Sequence, residues 1–441
     1  MPRRTGLLSL ESEHGVTRRY ALLAGLQEFA IWLPLPVLVL HMTDRGLDLA
    51  LIGVAFALRA ICVVVLEVPT GGLADAIGRK PVALTSQTFT LVSLVFLLVV
   101  TGPFTLVLYA LFQGIGAALH SGALEAWYVD ALQRTGHGES LQKHLATVSV
   151  AQTAAMLVGA ALGGVLPALV SGWALPWPLA GFGIALLAGL VLRIVVMWLT
   201  AALVHEPEYT GKLRPGGASA LPVIVRDGLR LARRIPVMPY LLVAGASMGV
   251  AVVSLETFWQ PIASLTFGAD PESSAIYGFL GFVLGAAGLL GSLAVMRFGD
   301  LFPGGPAALA AVSQLVKGAA MLILAFHAGA LGVGVGLGLA FFAIATQNVP
   351  HDALLNKAVP GERRSIMLSI NSLVLFLGVA VGAGSLGYVA SRFDPRVALG
   401  IAAAFTLVTA IAYVGVAIVA RREAARTAPD EGEEEAGVVR A

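Results

Sequence analysis

Long apolar runs alternate with short polar links along the whole chain. The runs fall at about residues 20–42, 50–72, 81–101, 103–127, 145–170 and 176–204, then at 237–262, 273–297, 306–328, 330–349, 365–391 and 395–420. Each is about 20 residues or longer, the length of helix that crosses the hydrocarbon core of a bilayer. Hydrocarbon offers the backbone no partner, so such runs must satisfy their own hydrogen bonds as helices. The pattern predicts an all-α membrane protein with twelve transmembrane helices. A polar stretch, 205–236, separates six runs from six; it holds Lys212, Arg214, Arg226, Arg230, Arg233 and Arg234 and is broken by Pro and Gly.

Composition sharpens this picture. Hydrophobic residues make up 57% of the 441 and charged residues 12%, about half the charged share of a soluble domain. The lipid bilayer is therefore the expected solvent. Net charge is +2, which favours no nucleic-acid partner. Cys62 is the only cysteine and sits in an apolar run, so no disulfide or thiolate metal site can form within one chain. No cluster has metal-ligand spacing, and neither a metal nor a cofactor is expected. Arg3 and Arg4 precede no apolar core before Tyr20, so the first run is expected to stay rather than be cleaved. An enzyme is not expected, since no nucleophile elbow or cofactor loop is present. Gly332, Gly334, Gly336 and Gly338 imitate a phosphate loop but lack its Lys-Ser/Thr ending. They are read as closely packed helix.

The charges in the links set the orientation. Lys and Arg crowd the termini and the links after runs 2, 4, 6, 8 and 10, while the opposite links hold Arg45, Arg392 and Arg396. The positive-inside rule then places both ends in the cytoplasm. The expected organisation is a cytoplasmic N-terminus (1–19), a six-helix bundle (20–204), a cytoplasmic linker (205–236), a second six-helix bundle (237–420) and a disordered cytoplasmic tail (421–441). The halves echo each other. GGLADAIGRK joins runs 2 and 3; MRFGDLFPGG, with Arg297, Asp300 and Gly304, joins runs 8 and 9. Two pseudo-symmetric six-helix bundles with a substrate site between them, near mid-membrane, are the architecture of repeat-built transporters. A monomer is expected, and the Ala, Gly and Arg usage fits a bacterial cytoplasmic membrane.

The stretch Gly71-Gly72-Leu73-Ala74-Asp75-Ala76-Ile77-Gly78-Arg79-Lys80 resembles the signature loop of the major facilitator superfamily, with Ala76 in place of its first basic residue. The resemblance extends over residues 20–420. It implies a conformational latch built on Gly71, Asp75, Gly78, Arg79 and Lys80. In that reading Asp75 caps the start of the eleventh helix near Arg363–Ile366, and Arg79 holds Asp75 or Asp130. Glu67-Val68-Pro69-Thr70, Ser121–Asp130 and Arg363–Leu373 resemble a subgroup of bacterial facilitators, mostly regarded as exporters, often of drugs. Two departures stand out. Ala110 occupies the position, three before Gln113-Gly114, where drug exporters often carry Arg. Gly159-Ala160-Ala161-Leu162-Gly163-Gly164 keeps the glycines of the antiporter helix 5 pattern and lacks its proline.

Ionisable groups inside a span are costly and point to function by default. Glu28, near Phe29 and Trp32, is a candidate proton or substrate site, or else a structural partner of Arg59 in the next run. Arg59 is read as structural, or as the ligand of an anionic group. Glu67 suits the latch better than substrate contact. Glu125 and Asp130 are either gating partners of Arg79, Arg134 or Lys143, or solvated helix-end charges. Glu256, beside Phe258 and Trp259, is either an acid that holds a lipophilic cation with its aromatics or an interfacial Glu. Arg193 and Lys317 lie in runs that the resemblance turns toward lipid; Arg193 is expected to snorkel, and Lys317 either pairs with an acid or shows that its helix is turned inward. Gln347, Asn348, His351 and Asp352 close run 10, and His351 is expected to be solvated. The functional expectation is proton-coupled efflux of small amphipathic compounds by alternating access. The alternative is uptake of a small metabolite, with Arg59 or Lys317 binding an anion.

Overall fold

The computed structural model describes residues 13–71, 73, 77–120, 122–134, 141–206, 226, 230–327, 329–359 and 364–427. Among the described residues, twelve segments are long and apolar enough to cross a bilayer. They are span 1 (His14–Asp44), span 2 (Leu49–Glu67), span 3 (Arg79–Leu98), span 4 (Pro103–Arg134), span 5 (Leu141–Leu169) and span 6 (Gly183–Leu203). After the linker come span 7 (Met238–Phe267), span 8 (Pro271–Leu301), span 9 (Gly305–Phe326), span 10 (Ala330–Ala358), span 11 (Ile366–Arg392) and span 12 (Pro395–Arg422). Odd spans start at the face that carries the linker, called the linker face; even spans start at the opposite, distal face.

Local chemistry explains where the helices break. Span 1 is a helix to Trp32, a short 3-10 turn at Leu35–Val37, and a second helix, Leu38–Asp44. Pro34 and Pro36 cause the break, because each lacks a backbone donor. Span 4 breaks at Gly122, whose φ of 77° suits glycine. Span 6 begins at Gly183 and not at 176, since Pro176, Pro178 and Gly181 turn the chain first. Arg45 pins that turn, donating to the carbonyls of Pro178 (2.7 Å) and Ala180 (3.2 Å). Span 10 runs through Pro350 to Ala358, well past the apolar run, and so brings His351 inside the helix. Asp394 caps span 12 by accepting from the Arg396 backbone N–H at 2.7 Å.

The two sets of six meet most closely near the distal face. A Cβ on Gly164 of span 5 would fall on the backbone of Gly278 in span 8, and Ser274 donates to the Gly164 carbonyl at 2.7 Å. A Cβ on Gly53 of span 2 would fall on the backbone of Ala383 and Gly387 in span 11. Gln260 of span 7 adds a polar stitch. Its Oε1 accepts from the backbone N–H groups of Val39 (2.9 Å) and Leu40 (3.2 Å), and its Nε2 donates to the Leu35 carbonyl (3.0 Å). Further from that face the backbones part. Gly285 meets only the side-chain tips of Met156 and Leu157, and Gly288 has nothing within 4 Å. Spans 2 and 11 touch again near the linker face, where Ser372 Oγ donates to both Glu67 carboxylate oxygens at 3.1 Å.

Within the first set, Gly159 and Gly163 seat the backbone of span 1 at Phe29 and Leu33, while Gly164 faces the other half. The glycine run is thus a two-sided packing surface. Leucine at Gly164 should force spans 5 and 8 apart at a cost of roughly 1–3 kcal/mol, the usual price of overpacking. Thermal unfolding in detergent should show a lower Tm for Gly164→Leu and an unchanged Tm for Gly172→Ala, whose Cβ would meet open space.

Candidate functional site

Between the two halves, just beneath the distal closure, lies a small cavity of about 90 Å³. Trp32 of span 1, Phe56 and Arg59 of span 2, Glu256, Trp259 and Gln260 of span 7, Leu284 of span 8 and Phe341 of span 10 line it. Its walls are mostly apolar and aromatic, with one cation, one anion and one amide. Arg59 and Glu256 face the same space without closing to within 4 Å of each other. Glu256 is exposed to that space although its span is otherwise well packed, with Leu255 and Thr257 buried on either side. The position of Arg59 follows from Gly114 in span 4: a Cβ there would strike the Arg59 backbone and Cys62. The neighbouring Gln113 accepts from Ser93 Oγ at 2.7 Å. The Gln113-Gly114 pair therefore lets spans 2, 3 and 4 close around the arginine.

A second, more polar cavity of about 150 Å³ lies nearer the linker face. Tyr20, Gln27, Glu28, His120, Glu125 and Gln152 line it, all from the first half. Glu28 has Trp32 within hydrogen-bonding reach and Arg193 as its electrostatic partner. His120 hydrogen-bonds to Gln27 at 3.1 Å. The alternative that made Glu28 a structural partner of Arg59 is not seen: Glu28 and Arg59 line different cavities, Arg59 shares its own with Glu256, and Glu28 makes no ion pair within 4 Å among the described residues. Arg193 is likewise turned into the bundle, not snorkelling along lipid. Glu125 is exposed on the cavity rim and makes no ion pair within 4 Å among the described residues.

The aromatic assignments also change. Trp32 and Trp259 line the central cavity. Phe29 packs on Gly159 of span 5, and Phe258, 1% exposed, lies in the hydrophobic core with Leu255, Ile262 and Leu324. Adjacent positions on a helix point about 100° apart; here Trp259 and Gln260 face the cavity and Phe258 faces the core. Phe56 and Phe341 complete the aromatic lining instead; nothing in the sequence distinguishes them from the other core phenylalanines.

At the linker face a clasp ties the first half together. Arg79 Nη1 meets Asp130 Oδ2 at 2.6 Å, joining span 3 to the end of span 4. Gly78, at φ 99°, turns the chain into span 3. Glu206, beyond span 6, then accepts from the backbone N–H groups of Arg79 (2.8 Å) and Lys80 (3.0 Å). A carboxylate at that position answers the positive end of the span 3 dipole. Lys80 Nζ donates to the Ala201 carbonyl at 2.7 Å. Glu206 was not legible in the sequence, because its partners are backbone groups 126 and 127 positions away. Gly71 ends the first helix of the motif. Asp75, and its expected partner segment at Arg363, lie outside the described residues.

The second half holds its own polar cluster. Lys317, 1% exposed, donates to Gln347 Oε1 and has no acid within 4 Å among the described residues. Span 9 is therefore turned inward at Lys317, the second of the two alternatives. His351 is buried as well, which corrects the expectation that it is solvated; Asn348 and Asp352 are the exposed members of that stretch.

Comparison with known proteins fits this geometry. Residues 20–353 match the Major Facilitator Superfamily. The uncharacterized MFS-type transporter YxaM of Bacillus subtilis (strain 168) is 21% identical over 385 residues, covering 86% of this chain and 90% of that protein. A crystal structure of a mutant nucleoside transporter NupG superposes with a TM-score of 0.77 at 17% identity, over 91% of this chain and 99% of that one. A bacterial homologue of the human lysosomal transporter Spinster, inward-facing and unoccupied, gives a TM-score of 0.69 at 16% identity, over 92% and 97%. Identities this low speak for the shared fold. The chain belongs to the major facilitator superfamily: it is a multi-pass membrane protein and a secondary transporter of small molecules, not an enzyme.

Proposed function

We propose that the protein exports small amphipathic compounds across a bacterial cytoplasmic membrane in exchange for protons, working as a monomer. The linker face is then cytoplasmic, as the excess of Lys and Arg there requires. The observation that carries the reading is the aromatic cavity between the halves, with Glu256 exposed in it and the distal end closed above it. A carboxylate among Trp32, Trp259 and Phe56 suits a compound with a cationic group and an apolar body, held by charge and by ring faces. Glu28, in the linker-side cavity on the same helix as Trp32, is the proposed carrier of the exchanged proton. The clasp at Arg79 and Asp130 keeps the first half a rigid body while the halves rock.

One observation favours a second reading. Arg59 lines the same cavity as Glu256, so a metabolite with an anionic group has a ligand there too, and uptake of such a compound is the alternative. In export, expression lowers cellular accumulation of a lipophilic cation, and a protonophore abolishes the effect. In uptake, expression supports growth on, or accumulation of, an anionic nutrient. An absence of lowered accumulation across a broad panel of compounds would sink the export reading.

Removing the Glu256 charge should weaken binding of cationic compounds about tenfold, equivalent to roughly 1.4 kcal/mol. Ligand titration of purified Glu256→Gln against wild type checks this, and equal affinities would exclude Glu256 from the site. The clasp should behave differently. Asp130→Asn should slow transport several-fold while leaving the Kd within about twofold, as a conformational role demands. Parallel transport and binding assays decide it, and a Kd that rises as the rate falls would count against the clasp.

A further inference from the structure

A chain of buried polar side chains crosses the second half, far from either cavity. Lys317 Nζ donates to Gln347 Oε1. Gln347 Nε2 donates to Gln314 Oε1 (2.6 Å) and to the Tyr413 hydroxyl (3.0 Å). That hydroxyl lies 2.9 Å from His351 Nδ1, and His351 Nε2 lies 3.3 Å from Asn371 Oδ1. Gln314 Nε2 closes the far side on Thr409 Oγ1 (2.8 Å) and the Thr406 carbonyl (3.0 Å). Spans 9, 10, 11 and 12 each contribute, and Lys317, Gln314, Gln347, His351 and Tyr413 are all buried.

One proton arrangement leaves no donor unmatched on the path from Gln347 to Asn371. The Tyr413 oxygen accepts from the Gln347 amide and its O–H donates to His351 Nδ1, which in this arrangement is the unprotonated ring nitrogen. The ring proton sits on Nε2 and is donated to Asn371 Oδ1. With a neutral imidazole, both ring nitrogens and the Tyr413 hydroxyl have partners of matching polarity. A proton added to the Nδ1 lone pair creates a second donor facing the Tyr413 oxygen. That oxygen can accept from both neighbours, but its own hydrogen then loses the acceptor it had. Leaving a buried donor unmatched costs about 1–3 kcal/mol, so the chain must rearrange.

Asn371 is the last member, and the next residue, Ser372, makes the contact with Glu67 that joins span 11 to span 2 near the linker face. We propose that His351 is a proton-binding switch: its protonation at Nδ1 breaks the Tyr413 bond, disturbs Asn371 and releases the Ser372–Glu67 contact between the halves. The proton enters from the linker side, where Asp352 is exposed beside His351. Among the described residues, the charged or titratable groups facing the ring are Lys317 from span 9, Tyr413 from span 12 and Asp352 from its own helix. Span 7 presents Gly245 and span 11 presents Asn371; Arg297 of span 8 is exposed at the end of its helix. The switch is independent of the substrate and of the transport direction proposed above.

The test uses the full chain in lipid nanodiscs, in a Cys62→Ser background, with spin labels on cysteines at Ile77 and Leu368, both exposed. Pulsed-resonance distances are read between about pH 5 and 8, the range in which imidazole charge changes. The expected result is a distance distribution that moves to longer values on acidification in the parent protein. The movement should be lost in His351→Gln, which keeps hydrogen bonding without the titration, and in Tyr413→Phe, which keeps the titration without the link. It should persist in Glu256→Gln. A parent protein whose distances do not change with pH overturns the proposal. So does a movement that survives both His351→Gln and Tyr413→Phe, or one that Glu256→Gln abolishes, which would assign the effect to the central cavity.

Discussion

A charge within the hydrocarbon layer must find a partner or water, because leaving it bare costs several kcal/mol. That constraint organises the interior of this protein. Glu28 lies in a polar cavity of the first half with Gln27, His120 and Gln152. Arg59 and Glu256 look into one cavity. Lys317 lies in a web of amides and hydroxyls with only neutral partners in contact. Spans 6 and 9, whose composition alone would suit a lipid-facing position, are held in one orientation by their single cations. The charges thus act as register marks that decide which face of a uniformly greasy helix points inward.

The second organising feature is the asymmetry of contact between the halves. At the distal end, glycines let spans 5 and 8, and spans 2 and 11, approach backbone to backbone. Such contacts are tight but carry little chemistry, which suits an interface that must part and re-form. Gln260 adds three hydrogen bonds to the kinked part of span 1, where Pro34 and Pro36 leave carbonyls and N–H groups available. Toward the linker face, among the described residues, Ser372 donates to the Glu67 carboxylate and Val64 of span 2 packs on the core of the second half. The two ends differ in that backbone meets backbone at the distal end, while side chains make the described contacts at the linker end. The cavity with Arg59 and Glu256 sits at the boundary between them.

Much of this was legible in the sequence because membrane helices announce themselves by length and apolarity. The twelve runs, their division into six and six, and the family follow from pattern and motif. Helix ends were less legible: Pro350 did not stop span 10, and Pro176 and Pro178 delayed span 6. Side-chain partners were least legible. Glu28 and Arg59 are on consecutive helices and look like a pair, yet helix rotation places them in different cavities. Phe258 and Trp259 are neighbours in sequence and point into different environments. His120, Gln27, Gln260 and Glu206 carry no motif, and their importance comes only from tertiary placement. His351 looked like a helix-end histidine because the apolar run stopped before it did.

The central claim is that the cavity between the halves is reached from one side of the membrane at a time. A cysteine at Phe341, in a Cys62→Ser background, reports on it directly through a membrane-impermeant maleimide applied to either side of reconstituted vesicles. The account predicts reaction from the linker side in the resting protein, with linker-side reaction slowed and distal-side reaction appearing once a transported compound is added. Reaction from the distal side at rest, or from both sides at equal rates, would contradict it.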